Sequence, residues 1–162
     1  MSPSVPEARP QVDPALMDVV LFCPETPARR FLEHHRIEYF RCGQTKSQAF
    51  PNRGRPAGDF AFIQLNPADW LNFLVVDVDD EAALLNLMHP AVPEPTWIIE
   101  NPATGHAQAG WAIEPVYRGE DARPWPIRYA EAVQRALDRL VDGDPCFTRY
   151  LAVSYTHLRA HE

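Results

Sequence analysis

Apolar and polar positions in this chain follow two periods, and each marks a different kind of element. Phe73-Leu74-Val75-Val76-Asp77-Val78-Asp79 is an apolar run with two acids near its end. Side chains on a strand alternate faces, so Asp77 and Asp79 point to one side and Val76 and Val78 to the other. Ile127–Val141 repeats at the helical period instead. Ile127, Ala130, Val133, Ala136 or Leu137, and Leu140 form an apolar stripe, with Glu131, Gln134, Arg135 and Asp138 on the wet side. Asp142-Gly143 ends that helix, Gly supplying a left-handed turn.

Between these elements, Thr96–Glu100 is β-branched and aromatic, Asn101–Gly105 is turn chemistry, and His106–Ile113 reads as a second strand. A hairpin over 96–113 follows, with His106, Gln108 and Gly110 on one face and Ala107, Ala109 and Trp111 on the other. Glu81–Met88 is a short helix that must end before Pro90. Phe60–Leu65 is a strand closed by Asn66-Pro67, and Tyr39–Phe40 is a further strand. Gln44–Asp59 and Glu114–Pro126 lack periodicity and read as loops. Residues 1–15 are Pro-rich and polar, a disordered arm, and Thr26-Pro27 starts a helix carrying Phe31, Leu32 and His35. The order of strands, helix, hairpin and helix predicts an α+β domain with a mixed, mostly antiparallel sheet flanked by helices. No Gly-rich phosphate loop of the GxGxxG or GxxxxGK[ST] kind occurs.

Composition narrows the classes. At 162 residues the chain is long enough for one domain with a core, and 17 Pro against 7 Gly predicts stiff loops. Cys23, Cys42 and Cys146 are widely spaced and form no CxxC pair, which signals neither a disulfide framework nor a zinc site and suits the cytoplasm. No apolar run reaches the length of a membrane span, and no signal peptide opens the chain. A net charge of −7 argues against simple coating of DNA. The charges are segregated, however: Arg36, Arg41, Lys46, Arg53 and Arg55 share one span, while carboxylates crowd Asp77–Glu81 and Glu114–Asp121.

Asp77 and Asp79 admit two readings from the residues alone. Either Asp79 or Asp80 caps the following helix, or the paired acids are compensated by a divalent cation. His106 and Asp144 are likewise open between local hydrogen bonding and chemistry. What joins them is an ordered set of motifs: Gln64-Leu65-Asn66-Pro67, Leu74-Val75-Val76-Asp77-Val78-Asp79, Glu100-Asn101-Pro102-Ala103-Thr104-Gly105-His106-Ala107, Ile127-Arg128-Tyr129-Ala130 and Val141-Asp142-Gly143-Asp144. This set resembles the plasmid replicase (Rep initiator) family, whose catalytic part is a primase-polymerase domain of the archaeo-eukaryotic primase type.

The resemblance implies an RRM-like core over residues 16–152 and a nucleotidyltransferase that makes a primer at a plasmid origin. It implies that Asp77, Asp79 and Asp144 hold Mg²⁺ or Mn²⁺, and that His106 meets the phosphates of a nucleoside triphosphate. Gln108 and Arg128 would assist in nucleotide binding, and Lys46, Arg53 and Arg55 are basic candidates for a single-stranded template, with Arg128 as a further one. Origin DNA, nucleotides and the host replication machinery are the implied partners. The chain departs from the family pattern at Gln108, where a second His is common, and again after Asp144. Residues 153–162 resemble a translated sequencing-adapter tail, so the chain is expected to be a fragment that stops before a Lys segment and the origin-binding domain. A non-catalytic origin-binding initiator is the alternative. A metal-dependent nickase fits less well, because Tyr129 lies on the helix but no His-x-His accompanies it.

Overall fold

The computed structural model describes residues 41–45, 47–51, 60, 62–101, 103–149 and 151–153. The arm at 1–15, the helix expected from Thr26, the Tyr39–Phe40 strand, Lys46, Arg53, Arg55 and residues 154–162 lie outside the described residues. The elements in order are β1 (Arg41–Gly43), β2 (Phe50–Pro51), β3 (Phe62–Ile63), β4 (Trp70–Val78), α1 (Ala83–Leu87), β5 (Trp97–Glu100), β6 (Ala107–Tyr117), α2 (Pro124–Leu140) and β7 (Ala152–Val153).

The class is α+β, as expected, but the strands divide into two antiparallel sheets. One has the order β2-β1-β3-β7 and the other β4-β6-β5. Alternation along β4 explains the layering. Phe73 and Val75 join Trp97 and Ile99 of β5 in a core against Cys42, Phe60, Ile63 and Leu65 of the four-stranded sheet and its flanks. Leu74, Val76 and Val78 join Ala107, Ala109 and Trp111 in a second core against Ala83 and Leu87 of α1 and Ala130 and Leu137 of α2. The three-stranded sheet is therefore the middle layer, with strands on one side and helices on the other. No helix among the described residues is long and apolar enough to cross a membrane.

Several boundaries differ from the sequence expectation, each for a local reason. Phe50–Pro51 pairs with β1 inside the segment expected to be loop; it is an edge strand, where Pro costs no ladder bond. The hairpin forms as expected, but β6 continues to Tyr117. Pro115 reads as a strand breaker, yet the β4–β6 register shifts between Leu71 and Phe73, and Pro115 is taken up in that irregularity. Helix α2 starts at Pro124, with Pro in its first turn, where no backbone donor is needed. At its other end Asp142, not Gly143, takes the left-handed conformation (φ 57°), and the Gly143 N–H reaches back to the Asp138 carbonyl at 2.7 Å. That is the six-to-one bond of a Schellman ending. Val153 pairs with Phe62, so β7 crosses the 152/153 boundary drawn from the sequence.

Gln134 departs most from its expected place. It is buried, 9% exposed, and turned toward the sheet. Strand β4 is an edge strand of the middle layer, and its open side is covered by polar groups from elsewhere. The Asn66 side chain accepts the Phe73 N–H and donates to the Phe73 carbonyl, both at 2.9 Å. The Gln134 side chain does the same for Val75, both at 3.1 Å. One step further, the Asp144 backbone N–H donates to the Asp77 carbonyl at 2.7 Å. Three successive outward-facing positions of an unpaired edge are thus satisfied without a fourth strand.

Candidate functional site

Alternation along β4 puts Asp77 on the face shared with the four-stranded sheet. Pairing places Asp77 opposite Gln108 and Val78 opposite Ala107, so the next step along the ladder brings Asp79 to His106. The His106 Nδ1 is 3.2 Å from the Asp79 Oδ1. The two side chains are 41% and 59% exposed, which makes the contact worth little to stability and more as an orienting one. With Nδ1 engaged by the carboxylate, Nε2 is the ring nitrogen left to meet a ligand.

Gly105 makes that contact geometrically feasible. Its φ is +74°, and a Cβ there would lie 2.6 Å from the Glu81 carbonyl oxygen. The hairpin loop therefore packs directly on the turn that leaves β4, and only Gly fits both demands. Asn101 organises the same loop. Its carbonyl accepts the Gly105 N–H at 2.8 Å, and its N–H donates to the His106 carbonyl at 2.8 Å.

The two neighbouring acids after β4 have separate tasks. Asp80 Oδ1 accepts the Ala82 N–H at 2.6 Å and shapes the turn into α1. Asp79 faces His106. An open depression of about 800 Å³ lies at this end of the sheet, lined by Asp79, Asp80, Glu81, Glu100 and His106, with Leu84 in its wall. Sequence reasoning missed Glu81 and Glu100 as lining groups; the signal was their position flanking the two strand ends that meet here.

Asp144 reaches the site by its backbone. The loop after α2 rounds the open edge of β4, taking Phe147 into the core between the sheets while Val141 stays in the helix-side core. The Asp138–Arg149 ion pair at 2.5 Å ties the two sides of this loop together. Asp144 Oδ1 itself accepts the Cys146 N–H at 2.8 Å. Gln108 is 5% exposed on the Asp77 face.

Arg128 is not brought to the Asp79–His106 pair. It is exposed on α2, away from Ala130 and Leu137, which pack on the sheet. Tyr129 is also on that outer side, stacked on Trp125. Among the described residues no group of three or more His, Cys, Asp or Glu is placed to hold a metal ion. What the chain offers a divalent cation is hard oxygen donors, Asp77 and Asp79 on one face, with Asp144 anchored beside Asp77. Carboxylate oxygens are the donor type that Mg²⁺ or Mn²⁺ takes, so the donor set fits either ion.

The family model described as the Replicase family matches residues 36–160, which takes in every described residue. No curated protein and no solved structure matches the chain.

Proposed function

The chain belongs to the Replicase family, and on that premise we propose that it is a replication initiator with a primase-polymerase domain, a nucleotidyltransferase that extends a primer on single-stranded origin DNA. The observation that carries this is the Asp79–His106 contact at 3.2 Å, two residues along the ladder from Asp77, at the mouth of an open depression. Phosphoryl transfer from a nucleoside triphosphate asks for positioning and charge compensation more than for covalent help. A carboxylate pair and an oriented imidazole supply those two needs.

In this scheme Asp77 and Asp79 would hold the divalent ions, and Asp144, whose backbone N–H donates to the Asp77 carbonyl, would add a carboxylate. Bound there, Mg²⁺ or Mn²⁺ supplies neutralisation of the triphosphate and a lowered pKa for the attacking 3′-hydroxyl. His106, oriented by Asp79, presents Nε2 to the incoming phosphates. Gln108 pairs with Asp77 across the ladder, and its amide is of a type that can hydrogen-bond a phosphate or base edge but cannot move a proton.

The test is primer synthesis on a single-stranded template with labelled nucleotides and Mg²⁺, comparing the wild-type chain with an Asp77→Asn/Asp79→Asn double variant. Product from the wild type and its loss in the variant is the expected result. Equal product from both overturns the assignment. Manganese calorimetry on the same pair reads the ion site without catalysis, and equal affinity in both removes the acids from it.

A further inference from the structure

Helix α2 presents to solvent a face that neither core uses. Trp125 and Tyr129 are 71% and 60% exposed, and their rings stack with centroids 5.3 Å apart and planes inclined by 24°. Large aromatic rings held mostly in water at helical i,i+4 spacing add nothing to either core, and such a patch marks a binding surface. Beside them run Arg128, Arg135 and Arg139, all exposed. Their spacing of seven and then four residues puts the three on one line within about 40°, over roughly 16 Å of helix. Arg135 is loosely matched by Glu131 at 3.9 Å. In a chain of net charge −7, a row of three arginines beside a stacked aromatic pair is a local reversal of sign.

We propose that this face is a platform for single-stranded nucleic acid, with bases stacking on Trp125 and Tyr129 and phosphates following Arg128, Arg135 and Arg139. Aromatic rings accept any unpaired base, whereas in a duplex the base faces are already stacked on one another. Guanidinium groups in a line match a phosphodiester chain. The row also has a direction. It leads from Trp125 toward the C-terminal end of α2, and the chain beyond that end carries Asp144 to the Asp77 carbonyl. A template laid along α2 is thereby led toward the acids. The platform rests on the primase-polymerase assignment for its purpose, but its binding is measured separately.

The experiment is fluorescence anisotropy of the full chain with a short fluorescein-labelled oligo(dT), without metal or nucleotide, across a potassium chloride series. Trp125→Ala and Tyr129→Ala should each weaken binding by roughly five- to a hundred-fold, the worth of one stacked base, while Trp125→Phe retains most of it. Replacing all three arginines with Ala should flatten the logarithmic salt dependence by about two, near 0.7 for each phosphate released. Both aromatic positions are exposed, so circular dichroism is expected to be unchanged. Unchanged affinity in Trp125→Ala and Tyr129→Ala overturns the proposal. So does equal competition by unlabelled duplex, or a loss of self-association in those variants with oligo(dT) binding intact, which would make the face a contact between copies. The Asp77→Asn/Asp79→Asn variant separates the two claims. It should bind oligo(dT) as the wild type does whether or not it makes primer, and a drop as large as that of Trp125→Ala would place the strand at the acids and overturn the platform.

Discussion

Trp97 occupies the space in which a side chain at residue 110 would stand. A Cβ on Gly110 would overlap the indole atoms Cε2, Cζ2 and Nε1 of Trp97, its partner across β5 and β6. Gly is thus fixed by its neighbour's bulk, not by backbone conformation. Gly110→Ala should cost about 1–3 kcal/mol through overpacking, read by urea denaturation. Shortening Trp97 to Leu in the same chain should relieve part of the clash, although it leaves a cavity of its own. Additive losses in the double variant would show that the two residues do not share that space.

The Gln134 amide stands in for a strand against Val75. Gln134→Leu keeps the bulk and removes both hydrogen bonds, leaving a buried N–H and C=O without partners. A loss of about 2–3 kcal/mol is expected, with no comparable effect from Glu131→Gln on the solvent side. Equilibrium unfolding of the two variants side by side decides it.

Gly105 couples the hairpin loop to the turn at Glu81. Gly105→Ala adds a side chain both at a left-handed φ and against that backbone, a strain of about 1–3 kcal/mol. The loop should move to relieve it and take His106 from Asp79. Expected outcomes are a shifted His106 imidazole resonance by NMR and a fall of roughly ten-fold or more in primer synthesis, as a displaced positioning group produces.

Asp142 ends α2 in a conformation that Gly adopts more readily. Asp142→Gly should stabilise the chain by about 0.5 kcal/mol, the relief of left-handed strain exceeding the added freedom of the unfolded state. Asp142→Val should cost about 1–2 kcal/mol. Thermal unfolding of both against wild type reads the sign.

Asp79 is the more exposed member of its pair with His106. Asp79→Asn should leave unfolding within about 0.5 kcal/mol of wild type, as surface substitutions do, while removing nucleotidyl transfer. A large loss of stability would recast Asp79 as a structural residue.

The acid-bearing strand, the hairpin and the long helix were legible because each has a clean period. So was the face on which Asp77 and Asp79 stand, since alternation alone decides it. Gln134 was misplaced because polarity outweighed position: it lies four residues after Ala130 and three before Leu137, inside the apolar stripe. Spacing would have put it indoors, where only a partner such as the Val75 backbone makes an amide tolerable. Strand β2 was hidden because Pro51 reads as loop unless the segment is known to be an edge. The left-handed residue at the helix end was assigned to Gly143 by propensity, while the bond to Asp138 places it at Asp142. The row of acids around the depression is made by the fold, because Glu81 and Glu100 line one depression only after the hairpin folds back onto the β4 exit.

The groups that complete the outer side of β4 come from far apart in the order of synthesis. Asn66 precedes the strand, but Gln134 and Asp144 are made long after it. While the polypeptide is being translated, Phe73 has its partner early, and Val75 and the Asp77 carbonyl wait until α2 and the turn beyond it have left the ribosome. The acid-bearing end is therefore the last stretch of the strand to be locked in place. A nascent chain halted before Asp144 would carry that end paired with β6 but open on its outer side, so the site matures only when nearly the whole described domain has been made.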